Sequence, residues 1–316
     1  MKHYLLPREG SFYKVNLHCH STVSPDGKFS PQEIKDAYKA QGYAAVAFTD
    51  HEILMDHPEL CDEGFIALNG VEVGVFERLR DPHAKHCHLG FVALTQEPHE
   101  TFWCEQDRPE QGKIPRVYNT ETVNALIQRG KELGFFVTYN HPGWSLENYN
   151  DYMAYHGMHA MEIFNTIGIN HGHLDHAPYA YDDMLRGGKR LYCIGADDNH
   201  GIKERFGAFT VIKAPRLTYE ALTNGLLNGH FYASQGPEIR ELWVEDGRVF
   251  VSTSPARRIF FTTSGRRQGT IANADGSPVC EGEFILQPDD GYFRVTVLDE
   301  MGRYAHSNAY FLDELL

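Results

Sequence analysis

Continuous apolar runs alternate with helix-type patterns along the first 235 residues. Residues 43–49 are apolar at almost every position, which is typical of a strand buried on both faces in a parallel sheet. The segment before them begins with Ser30, Pro31 and Glu33, a combination that predicts a helix start with a capping box. Gly42 then provides the expected helix end. This strand–helix–strand unit carries polar residues directly after each strand.

The alternation continues along the chain and predicts a parallel α/β fold. About seven strands fit before residue 235, which favours a distorted (β/α)7 barrel over an open sheet, with the active site at the C-terminal ends of the strands. Residues 96–118 are polar and contain prolines, so we expect an irregular insertion there. The further strands are predicted at 65–73, 88–94, 135–141, 159–165, 190–196 and 208–213, and the further helices at 120–133, 179–186 and 218–228.

The pattern changes after residue 235 to short strands separated by Asp-Gly turns such as Asp246-Gly247. No helical pattern intervenes. The sequence therefore predicts two domains, a barrel over 1–235 and a small antiparallel β-sandwich accessory domain over 236–316. The second domain offers no cluster of metal-type residues, and we expect it to serve in packing, oligomerisation or covering one side of the barrel.

The first predicted strand ends in a His-x-His pair. Side chains alternate along a strand, so His18 and His20 point to the same side. Two imidazoles that converge at a strand end have the geometry that a metal ion needs. Asp26 follows six residues after the second histidine.

Imidazoles and carboxylates recur at the other predicted strand ends. Grouped on one face without metal, such side chains would bear large desolvation and like-charge costs, which divalent cations relieve. The set contains nitrogen and oxygen donors and no thiolate, which suits zinc, manganese or iron. We therefore expect two or three divalent metal ions. The candidate metal ligands are His18, His20, Asp26, His51, Glu72, His88, His141, Asp198 and His200.

The composition of the chain limits the classes of binding partner that we expect. The net charge of −14 disfavours nucleic-acid duplexes and anionic membrane surfaces. Six scattered cysteines without a C-x-x-C pair, an N-terminus without an apolar signal region and the absence of any long apolar run predict a cytoplasmic protein without a membrane anchor. The expected partner is a small-molecule substrate, and homo-oligomerisation stays open.

The ordered motifs resemble the PHP (polymerase and histidinol phosphatase) family over about residues 14–235. The closing Asp197-Asp198-Asn199-His200 is most similar to the CehA/McbA branch of metallohydrolases. The resemblance implies a distorted (β/α)7 barrel with up to three divalent ions. The matching segments are His18-x-His20 with Asp26, Thr49-Asp50-His51, Gly70-Val71-Glu72, His88, His141-Pro142 and Gly195–His200.

Transferred to this sequence, the resemblance implies three ligand groups. The first is His18, His20, Glu72 and Asp198; the second shares Glu72 with His88 and His141; the third is Asp26, His51 and His200. His86 competes with His88, and we favour His88 because it directly opens the predicted strand.

The implied activity is a metal-dependent phosphoesterase that hydrolyses a small phosphorylated metabolite or nucleotide through a hydroxide bridging two metals. His200, His51 or a water molecule on the third metal would supply the proton to the leaving group. Two alternatives stay open: hydrolysis of a non-phosphate ester or carbamate, and a non-catalytic metal-binding scaffold. The candidate substrate-binding residues are Lys203, Arg205, Trp144 and Asn165.

Overall fold

The computed structural model describes residues 2–97, 99–105, 108–172 and 174–315. The strands up to residue 234 are β1 (His3–Tyr4), β2 (Ser11–Asn16), β3 (Tyr43–Phe48), β4 (Ile66–Phe76), β5 (His86–Ala93), β6 (Phe135–Tyr139), β7 (Ala160–Asn165), β8 (Tyr192–Ala196), β9 (Phe209–Ala214) and β10 (Phe231–Ser234). The helices are α1 (Pro31–Ala40), α2 (Thr120–Glu132), α3 (Tyr149–Tyr152), α4 (Thr166–Asn170), α5 (Pro178–Arg186), α6 (Tyr219–Leu227) and α7 (Leu312–Leu315). The later strands are β11 (Ile239–Glu245), β12 (Arg248–Ala256), β13 (Arg258–Thr263), β14 (Gln268–Ile271), β15 (Val279–Ile285), β16 (Tyr292–Leu298), β17 (Tyr304–Ser307) and β18 (Tyr310–Phe311).

The strands of the first part form a curved sheet in the order β9-β2-β3-β4-β5-β6-β7-β8. Its two end strands meet through a side chain, because Thr210 Oγ1 on β9 accepts from Gly195 N and donates to Gly195 O on β8. Four of the neighbouring pairs are parallel, whereas β9 runs antiparallel to β2 and β5 runs antiparallel to both β4 and β6. The start of β5 therefore lies at the same end of the barrel as the C-terminal ends of the parallel strands.

Local sequence explains the elements that frame this barrel. Ser30 accepts from Glu33 N while the Glu33 carboxylate accepts from Ser30 N, so the predicted capping box at α1 is confirmed. The helices predicted near 120, 179 and 218 are confirmed as well. Two short helices, α3 and α4, have no pattern in the sequence long enough to predict them.

The second part consists of two antiparallel sheets around a shared apolar core. One sheet has the order β1-β11-β12-β15, and the other is β14-β13-β16-β17. Leu242 and Phe284 from the first sheet belong to one buried cluster with Phe261 and Val295 from the second. The predicted fold class, an α/β barrel followed by an antiparallel β unit, is confirmed. The turn at Asp246-Gly247 has positive φ at both residues, as a tight hairpin requires.

Backbone pairing joins the two parts of the chain. The strand β17 pairs with β10, so the second sheet of the accessory unit continues the barrel sheet. The N-terminal strand β1 pairs with β11 and contributes to the accessory unit. The boundary proposed at 235/236 falls just after β10. Strands on its two sides pair with each other, β10 with β17 and β1 with β11.

The insertion between β5 and α2 contains only isolated bridges in its described residues, 94–97, 99–105 and 108–119. Its Phe102 and Trp103 are buried against Phe91 of β5. Arg116 is also buried and donates to Cys104 O and Gly74 O, which fastens the insertion to the edge of the barrel. Among the described residues, no helix combines the length and apolarity needed to cross a bilayer.

A buried polar chain links the accessory unit to the barrel. Arg294 forms two hydrogen bonds of 2.7 Å to Asp182 of α5 and donates to Thr296 Oγ1. The Thr296 hydroxyl lies 2.9 Å from His306 Nδ1, and His306 Nε2 lies 3.0 Å from His176 Nε2. The contact between the two Nε2 atoms holds one hydrogen only if at least one of the imidazoles is neutral.

The Asp182→Asn substitution should destabilise the fold strongly. Removing one partner leaves the buried Arg294 guanidinium without a compensating charge, and we expect the free energy of unfolding to fall by about 3 kcal/mol. Urea unfolding at neutral pH measures this loss. Asp313→Asn is the control, because Asp313 pairs with Arg190 at the exposed surface and its loss should be much smaller. Equal losses in the two variants would contradict the interpretation.

The imidazole pair predicts a loss of stability in acid. Burial, followed by the charge of Arg294, lowers the pKa of His176 to about 4. The unfolded chain takes up this proton near pH 6.5 and the folded chain does not, so stability falls between pH 6.5 and about 4. His176→Gln should reduce the stability difference between pH 7 and pH 4.5 by about 2 kcal/mol, measured by urea unfolding. An identical pH dependence in the variant would refute this origin.

Candidate metal centre

The first ligand group forms where β2 and β8 end. The ladder of β2 stops at Asn16, two residues before His18, but the His18 and His20 rings still converge, with their Nε2 atoms 3.0 Å apart. Both Nε2 atoms face the same two carboxylates. The distances to Glu72 are 3.1 and 3.4 Å, and those to Asp198 Oδ1 are 3.3 and 3.1 Å.

The second group depends on the reversed strand β5. Because β5 runs against its neighbours, His88 near its start lies beside Glu72, with Nδ1 3.1 Å from Glu72 Oε1. His141 follows β6 and places Nε2 3.2 Å from the same oxygen. The strand begins at His86, two residues earlier than predicted, and His86 lies farther out against Trp144. The structure thus brings His88, rather than His86, to the shared carboxylate.

The third group is the most exposed of the three. Asp26 Oδ2 lies 3.4 Å from His51 Nε2 and 3.4 Å from His200 Nε2. The side chains of these residues are 51%, 24% and 19% exposed, whereas Glu72 is 1% exposed. His51 connects this group to the interior, because its Nδ1 is 3.1 Å from Glu72 Oε2. Any substrate must therefore approach from the side of the third group.

Backbone pairing aligns ligands that are distant in sequence. Asp198 N donates to His18 O, and His20 N donates to Asn199 O, so the first and last ligand segments lie side by side. Both His141, at φ 25°, and Asp198, at φ 54°, have left-handed backbone conformations. Such conformations are unfavourable for residues other than glycine and are concentrated at functional sites.

Burial and the neighbouring carboxylates have opposite effects on the pKa values of the imidazoles in this cluster. Burial lowers the pKa of His51, but hydrogen bonds to Asp26 and Glu72 outweigh it and raise the pKa to about 10. Burial is likewise outweighed by the hydrogen bond to Glu72 at His141, where the pKa rises to about 9. At His88 burial dominates and the pKa falls to about 4. The carboxylates therefore need positive charge around them, which protons or metal ions can provide.

Several buried ligand atoms in the cluster lie close to oppositely charged groups but form no hydrogen bond of good geometry. Glu72 Oε2, Asp198 Oδ1 and both ring nitrogens of His88 are in this condition. Unsatisfied buried polar atoms are costly and rare in native proteins. Here they face one another within groups whose ligand atoms all lie within 4.8 Å. The residues present therefore fit divalent cations.

Glu162, a further residue of the cluster that no sequence motif indicated, is buried on β7. Its Oε1 lies 2.7 Å from His18 Nδ1, and its Oε2 accepts from His141 N. A carboxylate that binds Nδ1–H leaves Nε2 of the imidazole free for a metal. The available signal was a glutamate inside an otherwise apolar predicted strand. Asn140, also not identified, donates to Glu72 Oε1.

Other buried carboxylates hold the loops that carry the ligands. Asp50 accepts from the backbone and hydroxyl groups of Ser21 and Ser24. Asp197 accepts from the backbone N–H groups of residues 206–208, which follow His200. These hydrogen bonds fix the loops without contacting the proposed metals.

Two of the expected substrate-binding residues lie at the cluster. Trp144 is half-buried and packs its ring against those of His88 and His141, at centroid distances of 5.5 and 5.1 Å. Asn165 is buried, and its amide donates to Glu162 and Asp198 while its oxygen caps α4. The polar atoms of Asn165 are thus engaged with protein groups in this structure.

The two expected basic anchors are not bonded to the ligand groups in the described residues. Lys203 is exposed, and the guanidinium of Arg205 stacks over Phe29, 3.7 Å from the ring centroid. Within the described residues, no hydrogen bond or ion pair joins either side chain to a proposed ligand. The structure instead shows a cavity of about 880 Å³ beside His51, bounded on its far side by the insertion between β5 and α2.

Glu162→Gln should weaken metal binding by about 10- to 100-fold, because the neutral amide holds the His18 tautomer less firmly. Calorimetric titration with Mn²⁺ measures the affinity, and circular dichroism checks the fold. Glu59→Gln is the matched control, since Glu59 contacts the ring nitrogen of His57 outside the cluster. Unchanged affinity in Glu162→Gln would argue against this role.

The PHP family, which the sequence motifs resemble, is also the family identified by comparison with known proteins. The family profile of the PHP domain matches residues 16–192. No curated protein sequence matches the chain. One similar solved structure is a two-domain protein containing a predicted PHP-like metal-dependent phosphoesterase from Bacteroides vulgatus ATCC 8482; it is 17% identical, with a TM-score of 0.47, over 94% of each chain. Because the family match covers more than half of the sequence, the chain belongs to the PHP domain family.

Proposed function

We propose that the protein is a metal-dependent phosphoesterase that hydrolyses a small phosphorylated metabolite or nucleotide. The observation that carries the proposal is the cluster around Glu72, in which buried imidazole nitrogens and carboxylate oxygens converge and several of them form no hydrogen bond of good geometry. His18, His20, Glu72 and Asp198 would hold one cation. Glu72 would share a second with His88 and His141, and Asp26, His51 and His200 would hold a third.

Divalent ions bound there would supply Lewis acidity, which ionises water near neutral pH and neutralises charge on phosphoryl oxygens. The chain itself controls access, because the first two groups are buried and the third is partly exposed. Phosphoryl transfer to water forms a new P–O bond and breaks the bond to the leaving oxygen, which must take up a proton. Of the side chains of this protein, His51 or His200 would supply that proton, and His51 borders the cavity.

The reaction class is tested with the manganese-loaded protein on matched phosphomonoesters, phosphodiesters, carboxylic esters and carbamates. We expect turnover of phosphate compounds and release of inorganic phosphate from monoesters. Turnover of only the carboxylic esters or carbamates would replace the proposal with the alternative hydrolase. No turnover together with tight metal binding would favour a metal-binding scaffold.

Glu72→Gln should abolish tight binding of two cations and lower kcat/KM by at least about 1,000-fold, because one carboxylate serves two groups. Metal content after dialysis and steady-state kinetics measure these effects. Glu147→Gln is the control for loss of a buried carboxylate. Glu147 accepts from the hydroxyls of Tyr118, Tyr139 and Tyr155 outside the metal cluster, so its variant should keep the metals. Full metal content in Glu72→Gln would refute the shared-ligand assignment.

A further inference from the structure

The cavity beside the third ligand group is much larger than a phosphate ion. Its volume is about 880 Å³, and His51 is the one proposed ligand on its wall among the described residues. Cavities of this size bury most of a drug-sized molecule. A phosphoryl group bound at the third group would therefore leave room in the cavity for the whole leaving group.

The charges on the far wall are mostly paired with each other. Arg108 lies 2.8 Å from Glu105, and Lys113 lies 3.0 Å from Glu110. The opposite charges within each pair cancel, so this wall offers hydrogen-bonding groups but no net charge. Glu52, on the near wall, is likewise paired with the buried Arg116.

Arg80 is different from these wall residues. It lies on the connection between β4 and β5 and borders the cavity, and it has no hydrogen bond, ion pair or ring partner among the described residues. It therefore leaves an uncompensated positive charge on the wall of a cavity in a chain of net charge −14. A guanidinium offers paired donors that match carboxylate and phosphate oxygens.

We infer that Arg80 binds an anionic group on the leaving-group side of the substrate. Resting on the proposed function, this makes the substrate class a phosphomonoester whose leaving group carries a carboxylate or a second phosphate. The metal cluster binds the phosphoryl group that is cleaved, and Arg80 selects what is attached to it.

Calorimetry with non-hydrolysable phosphonates tests the inference independently of turnover. The probes are ω-carboxyalkylphosphonates and α,ω-bisphosphonates of increasing chain length, each compared with the alkylphosphonate of equal length on the manganese-loaded protein. At one chain length, we expect the second anionic group to tighten binding about tenfold, which corresponds to about 1.4 kcal/mol. The two probe series distinguish a carboxylate from a phosphate.

Arg80→Ala should remove this preference, and Arg80→Lys should keep part of it. Arg78→Ala is the matched control, because Arg78 is an exposed arginine of the same connection that pairs with Asp81 and does not border the cavity. No preference at any length in the unmodified protein, or an equal preference in Arg80→Ala, would overturn the inference. Phosphate-ester turnover without this preference would overturn the inference alone, whereas the preference without turnover would overturn only the proposed function.

Discussion

One buried carboxylate organises the site. Five imidazoles, from His18, His20, His51, His88 and His141, each place a ring nitrogen within 3.4 Å of a Glu72 oxygen. An ionised carboxylate buried this deeply is stable only if positive charge surrounds it. The imidazoles supply that charge when protonated, and bound cations supply it when the rings act as neutral ligands. The remaining ligands extend this arrangement outward to the solvent.

The barrel brings the side chains that surround Glu72 to one face. Parallel strands deliver their C-terminal residues to one face, and the reversal of β5 lets a residue near a strand start reach the same point. Buried carboxylates then hold the ligand loops by accepting backbone or imidazole hydrogens, as Asp50, Asp197 and Glu162 do. The site thus rests on two layers of carboxylates, one facing the metal positions and one facing the backbone.

The outer parts of the fold define the surroundings of this site. The insertion before α2 is fastened by Arg116 and closes the far side of the cavity. The accessory unit shares a continuous sheet with the barrel, and its His306 reaches His176. His176 stacks on Phe164, next to Asn165, which in turn contacts Asp198. The accessory unit is therefore connected to the site through the C-terminal end of β7.

Short-range patterns in the sequence were sufficient to predict the alternating elements, the capped helix α1 and the hairpin turn at Asp246-Gly247. These features depend on residues close together along the chain, where propensity and spacing act directly. The candidate ligands could be predicted for a related reason, since imidazole and carboxylate side chains at apolar strand ends are conspicuous. Their assignment to separate metals came from the family resemblance and is still a proposal.

Only the tertiary structure decided which long-range partners meet. The reversal of β5 depends on its pairing with the preceding strand β4 and with the more distant β6, so the sequence could not show why His88, rather than His86, approaches Glu72. The role of Glu162 could not be predicted from its place in a strand. Its contacts, His18 and the backbone of His141, lie 144 and 21 residues away in the sequence. Arg80 likewise became a candidate binding residue only because the fold places it at a cavity that residues between 101 and 113 also line. Contacts between remote segments follow from the closure of the barrel, which no local pattern encodes.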